Sequence, residues 1–120
     1  LSFVPFYARW PYECHTLCKN NKQSLINMND EELMSLSNHV QKIVRCYHRL
    51  LDHKMSYVMI FHQSPIHKNL NHYRFYVEFQ PAYQSTNRLK HAAGIERIGN
   101  FELGIGRPSE QARLLRQGLD

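Results

Sequence analysis

Three groups of residues have the types and spacing to do chemistry. The first is His62 with Glu78. If the segments carrying them pair as strands, an imidazole and a carboxylate meet on one sheet face, with Tyr76 beside them. Imidazole and carboxylate are donors for zinc and iron; without metal, the same pair makes an ordinary hydrogen bond on a polar face. The second group is the run Lys90-His91-Ala92-Ala93-Gly94-Ile95-Glu96. A lysine ammonium holds a phosphate as a point charge, a carboxylate accepts from sugar hydroxyls, and the glycine lets backbone approach a ligand closely. On a surface loop, the two charges could equally be solvated and idle. The third group is Cys14, Cys18 and Cys46. Cys14 and Cys18 share a strand face, which two buried thiols explain; a zinc site would need two more ligands. Cys14 and His15 are adjacent, but neighbours on a strand point to opposite faces, which argues against a nucleophile pair. No G-x-S-x-G, P-loop, G-x-G-x-x-G, H-x-H or H-E-x-x-H motif occurs.

The elements that must position these residues are legible from periodicity. A helix is expected from Asp30 to Leu51, started by capping-box spacing between Asn29 and Glu32. Its apolar stripe runs through Leu33, Leu36, Val40, Ile43, Val44, Tyr47, Leu50 and Leu51 at the 3.6-residue period. His39, Arg45, His48 and Arg49 fall off that stripe and read as a solvated face. Ahead of the helix, Phe3 to Ala8 and Tyr12 to Cys18 read as short strands broken at Trp10-Pro11. Behind it, Met55 to His62 reads as a strand with Tyr57, Met59 and Phe61 on one face. The alternation from His72 to Phe79 puts Tyr73, Phe75, Val77 and Phe79 on an apolar face and His72, Arg74, Tyr76 and Glu78 on the other. Gln84 to Arg107 reads as irregular, and Pro108 opens a terminal helix to about Gln117. This order predicts an α+β domain in which a mostly antiparallel sheet packs against one long helix.

Composition sets the outer limits. The chain has 120 residues, 42% of them apolar, enough for one domain with a real core. No apolar run approaches the roughly 20 residues a membrane span needs. A net charge of +5 suits an anionic ligand, but the basic residues are scattered rather than clustered as nucleic acid demands. An odd cysteine count without framework spacing points to reduced thiols and a cytoplasmic setting. The chain lacks an initiator Met and enters a strand-like run almost at once, so it reads as a piece of a longer protein.

Against these elements, Phe3-Val4-Pro5-Phe6-Tyr7-Ala8-Arg9-Trp10-Pro11-Tyr12-Glu13 resembles the opening of the C-terminal half of galactose-1-phosphate uridylyltransferases, F-V-P-F-x-A-x-W-P-[FY]-E. Phe61-His62, His72-Tyr73, Glu78-Phe79-Gln80-Pro81, the K-x-x-x-G-x-E segment at Lys90 to Glu96, and Pro108-Ser109-Glu110-Gln111-Ala112 follow the family's order. The likeness spans nearly the whole chain, and its first motif is the most specific.

The resemblance implies a histidine-triad-like fold forming one half of a transferase. That enzyme exchanges UMP between UDP-glucose and galactose 1-phosphate through a uridylylated histidine. Close relatives are nucleotide-sugar phosphorylases. The nucleophile lies in a His-Pro-His triplet of the other half, and this chain contains no such triplet. By the same resemblance, Lys90 and Glu96 are hexose-phosphate contacts, the partners are UDP-sugar, hexose 1-phosphate and the N-terminal half, and the parent enzyme is a homodimer. Some members hold a structural metal, zinc or iron, and His62 corresponds to one ligand. Where they carry an H-x-H pair this chain has Tyr76 and Glu78, so the expectation is that little metal stays with this chain alone. The alternative from another class is a free-standing, non-catalytic module of the same fold that binds a nucleotide or sugar phosphate.

Overall fold

The computed structural model describes residues 1–51, 55–68, 70–85, 88–91, 93–99, 103–104 and 106–119. Strands β1 (Ser2–Phe3) and β2 (Cys14–Leu17) lead through a 3-10 turn to helix α1 (Asp30–Leu51), followed by strands β3 (Tyr57–His62) and β4 (Tyr76–Pro81). These strands form one antiparallel sheet in the order β1-β2-β4-β3. A small ribbon of β5 (Tyr83–Ser85) and β6 (Arg88–Leu89), a short helix α2 (Gly94–Ile98) and helix α3 (Pro108–Gln117) complete the chain. The architecture is the α+β arrangement expected, with two additions. The Gln84 to Arg107 segment is not wholly irregular: it carries the end of β5, β6 and α2.

The helix forms where its ends are chemically marked. The backbone N–H of Asn29 donates to Glu32 Oε2 at 3.0 Å, and that of Glu32 donates to Asn29 Oδ1 at 2.9 Å. This reciprocal cap satisfies two amides that the first turn leaves unpaired. Asp30, Glu31 and Glu32 lie in the first turn, and His48 and Arg49 in the last, each favourable to the helix dipole. Asn20 Nδ2 donates to Glu32 Oε1 at 2.9 Å, and Lys22 Nζ lies 3.0 Å from Oε2. The Asn20 amide, the Asn29 backbone amide and Lys22 together pull the Glu32 carboxyl from its ordinary 4.5 to about 2. A carboxyl lowered by folding stabilises the native state fully above its unfolded pKa and ceases to do so as pH falls through its folded one. The thermal midpoints of wild type and Glu32→Ala should therefore differ at neutral pH and converge between about pH 4.5 and 2. A gap that persists undiminished to pH 2 would mean the carboxylate charge is not what stabilises this turn.

The core lies between α1 and the sheet. Ile43, Cys46 and Tyr47 of α1 meet Cys14, Phe75, Val77 and Phe79, with Met55 and Leu115 closing the edges. Helix α3 docks on α1 so closely that a Cβ on Gly118 would stand 3.2 Å from the Cys46 carbonyl oxygen. Phe75, Val77 and Phe79 are fully buried, as the alternation requires. Tyr73 is only half-buried, because the ladder begins at Tyr76 and not at His72. Residues 71 and 72 form a turn, and the Phe75 amide donates to the Lys22 carbonyl rather than to a strand. The earlier strand segments are also shorter than expected. Pro5 has no N–H to offer a ladder, and Ala8 folds back to its carbonyl at 3.1 Å. Tyr12, with φ of 57°, breaks the extended path just before β2. On the outer strand β3, Tyr57 packs against the core while Met59 and Phe61 stay exposed.

Candidate functional site

The Phe3 to Glu13 motif is a built corner. Pro5 and Pro11 are fully buried, and the Glu13 amide donates to the Trp10 carbonyl at 3.1 Å. The Glu13 carboxylate turns back to accept the backbone amides of Arg9 at 2.8 Å and Trp10 at 3.1 Å. Tyr12 is held in its left-handed conformation from both sides. Its amide donates to Gln111 Oε1 at 3.2 Å, and its carbonyl accepts the Tyr47 hydroxyl at 2.8 Å. For a bulky residue this conformation costs about 1–2 kcal/mol, which explains the two anchors. The result is that β2 leaves the corner with Cys14 facing the core, and with Glu13 and His15 on the opposite face of the sheet.

That face carries the candidate cluster. In the register, His15 lies opposite Glu78 and His62 opposite Tyr76. His62 Nε2 and Glu78 Oε2 are 2.7 Å apart, so the two residues marked in the sequence are brought together. The fold adds two more: His15 Nε2 lies 2.9 Å from Glu13 Oε1 and 3.9 Å from Glu78 Oε1. Gln80 Nε2 donates to Glu78 Oε1 at 2.6 Å. Tyr76 stacks between the imidazoles, 4.2 Å from the His62 ring and 5.4 Å from the His15 ring. Phe3 and Tyr7 close over His15 edge-on. Burial pushes the Glu13 carboxyl up, but its hydrogen bonds to His15, Arg9 and Trp10 outweigh this and hold it below its ordinary value. Burial, with Glu78 adding to it, raises the Tyr76 phenol.

One atom each from Glu13, His15 and Glu78 can be chosen so that all lie within 4.8 Å of one another. Donors 2.0–2.2 Å from a tetrahedral zinc ion stand about 3.4 Å apart, so a group spread over up to 4.8 Å would have to close by about 1 Å to hold one. Carboxylate and imidazole are donors that zinc and iron take, but His62, across the Tyr76 ring from His15, is not one of the three. Among the described residues this is the one cluster of three or more such groups. Cysteine plays no part in it. Burial raises the Cys14 thiol to about 12, and its place on the core face separates it from the His15 ring. His15 and Glu13 escape sequence reading, although period two from Tyr12 to Cys18 already puts them on one face. What periodicity leaves out is that β4 lies next to β2.

Lys90 and Glu96 are also brought together, at 3.1 Å, with both side chains almost fully enclosed. Lys90 Nζ donates to the Arg9 carbonyl at 2.6 Å and lies 5.0 Å over the Trp10 ring. Glu96 accepts the backbone amides of Ala93 at 2.6 Å and Leu103 at 2.9 Å. Those two amides, then Lys90, lower its carboxyl to about 2, so it stays ionised. The pair thus clasps the segment after β6 onto the Trp10 corner. A separate cleft of about 370 Å³ between β2 and the start of α1 is lined by residues such as Thr16, Cys18, Glu31 and His39. Of the residues singled out in the sequence, Cys18 lines it, while His62, Glu78, Lys90 and Glu96 do not.

Comparison with known proteins places this geometry. A family described as galactose-1-phosphate uridyl transferase, C-terminal domain, matches residues 1–105. The galactose-1-phosphate uridylyltransferase of Thermotoga maritima is 33% identical over 119 residues, covering 98% of this chain and 37% of that protein. The Haemophilus influenzae enzyme of the same name is 29% identical, and the chain covers 32% of it. The chain therefore spans about a third of the length of these relatives. A solved uridylyltransferase structure superposes with a TM-score of 0.91 at 30% identity, over 98% of this chain and 38% of its own. A HIT-like protein from Bartonella henselae, 14% identical, superposes at 0.63 over 98% of this chain and 79% of its own, which speaks to the fold alone. With the corner motif, the sheet and the Lys90–Glu96 segment all falling within the matched residues, the chain belongs to the family of galactose-1-phosphate uridyl transferase C-terminal domains.

Proposed function

We propose that this chain is the C-terminal part of an enzyme that exchanges UMP between UDP-glucose and galactose 1-phosphate by double displacement. The family match over residues 1–105 carries this reading. The covalent step belongs to a histidine outside these residues, since the sequence holds no His-Pro-His triplet. Within the reading, Lys90 is the cation for the hexose-linked phosphate and Glu96 the acceptor for ring hydroxyls. Their place in the K-x-x-x-G-x-E segment supports this, and a ligand would exchange for the contacts that now enclose the pair. The substrates are then a UDP-sugar and a hexose 1-phosphate. The N-terminal half of the same enzyme and a second subunit are the protein partners. Apolar side chains left exposed at Phe6, Tyr7, Val58 and Phe61 support such contacts. A cytoplasmic setting fits the three free cysteines, and no helix among the described residues is long and apolar enough to cross a membrane.

The encoded longer enzyme should form UDP-galactose from UDP-glucose and galactose 1-phosphate. Turnover only when inorganic phosphate replaces the sugar phosphate would reassign it as a phosphorylase. The 120-residue chain alone, incubated with UDP-glucose, should show no added UMP by intact mass spectrometry. A stable adduct on it would place the nucleophile here and reject the proposed division of labour.

A further inference from the structure

We propose that this sheet face takes no metal ion and is closed by its own hydrogen bonds, with the Tyr76 ring standing where an ion would have to join the two imidazoles. The inference goes beyond the transferase reading and rests on side-chain geometry. Zinc and iron are the ions that the family resemblance implies here, and an imidazole gives such an ion the lone pair of a ring nitrogen. In this chain that nitrogen is turned to another use. His62 Nε2 lies 2.7 Å from Glu78 Oε2, and His15 Nε2 lies 2.9 Å from Glu13 Oε1. An ionised carboxylate only accepts, so each of these nitrogens carries a proton toward it and has no lone pair to offer. The two rings cannot converge on one ion either. The Tyr76 ring stacks between them, 4.2 Å from His62 and 5.4 Å from His15.

The carboxylates are as fully engaged as the imidazoles. Glu13 Oε2 accepts the amides of Arg9 at 2.8 Å and Trp10 at 3.1 Å, which leaves Oε1 to His15. Glu78 Oε2 accepts from His62, while its Oε1 accepts Gln80 Nε2 at 2.6 Å and stands 3.9 Å from His15 Nε2. A cage shaped for an ion but folded without one would leave buried donor atoms short of partners. Among the described residues, no buried side-chain nitrogen or oxygen lacks a hydrogen-bond partner. Glutamate in place of the second histidine of an H-x-H pair therefore has a different use. From β4, in the middle of the sheet, Glu78 holds His62 of β3 on one side and reaches toward His15 of β2 on the other. Tyrosine in place of the first histidine fills the gap between the rings. Admitting an ion would break these contacts, and no nitrogen lone pair stands ready to replace them.

The test counts zinc and iron by elemental analysis in the longer enzyme, purified from cells supplied with both metals. Ions held elsewhere in that protein cancel when variants are compared with wild type. Glu78→Gln and His62→Gln lie on different strands, so a folding failure of one leaves the other to be read. Each should carry the same zinc plus iron per chain as wild type. Because metal binding is coupled to folding, dialysis against a chelator should also shift the thermal midpoint of wild type and of each variant by the same amount. The ring is tested by Tyr76→Phe against Tyr76→Ala: the first should keep the wild-type midpoint and the second should lose several degrees. Three results would overturn the proposal: loss of an ion per chain in either Gln variant, a chelator shift larger in wild type than in both of them, or equal midpoints for Tyr76→Phe and Tyr76→Ala.

Discussion

Phe75→Ala should lower the stability of this chain by about 3–5 kcal/mol, the usual cost of removing a buried phenyl ring. The ring is fully buried, and its centroid lies 6.2 Å from that of Phe61. Its backbone amide is tied to the Lys22 carbonyl at 2.7 Å, so the chain at this point is not free to collapse inward. Phe75 also borders the cleft between β2 and α1. Truncation would enlarge an existing opening, and the surroundings would relax little. For a domain of this size the thermal midpoint should fall by roughly 10–20 °C. Phe6, which is 88% exposed, supplies the control: Phe6→Ala should change stability by no more than about 0.5 kcal/mol. Equal midpoints for Phe75→Ala and wild type would mean that the α1 side of the sheet is not the core.

Lys90→Ala in the longer enzyme should reduce kcat/KM by roughly 10- to 150-fold, the effect of losing a charge-assisted contact worth about 1.5–3 kcal/mol. The loss should be the same for glucose and galactose 1-phosphates, since a point charge reads phosphate and not stereochemistry. Glu96→Gln keeps the shape but turns one acceptor into a donor, so it should alter the ratio between the two sugars more than either rate. A purely structural clasp makes a different forecast. Lys90→Ala would then lower the thermal midpoint while leaving kcat/KM of the folded enzyme within twofold of wild type for both sugars. The isolated chain offers an independent readout of the clasp, because Trp10 is its only tryptophan and Lys90 Nζ lies 5.0 Å over that ring. Lys90→Ala should shift the fluorescence emission, and an unchanged spectrum would show that the ammonium does not rest there.

Which features the sequence could determine by itself follows from how far apart their causes lie. Helix α1 runs from Asp30 to Leu51 as read, because Asn29 and Glu32 mark its start within three residues of each other. Helix α3 begins at Pro108 for an equally local reason. The alternation through Phe75, Val77 and Phe79 assigns one face to the core, and with it Glu78 to the other. The meeting of His62 with Glu78 was legible because the two strands follow one another with only a loop between. Strand limits were less so: whether the segment from His72 to Phe75 joins the ladder depends on the Lys22 carbonyl, far back in the chain, taking the Phe75 amide. The same holds for the enclosure of Lys90, which bonds to Arg9 across 81 positions. Above all, the tertiary structure placed His15 and Glu13 beside Glu78. Periodicity tells which way a side chain points, but not which strand lies next to it. That neighbour is chosen by burial of the whole sheet beneath α1, a property of many residues together that no local spacing records.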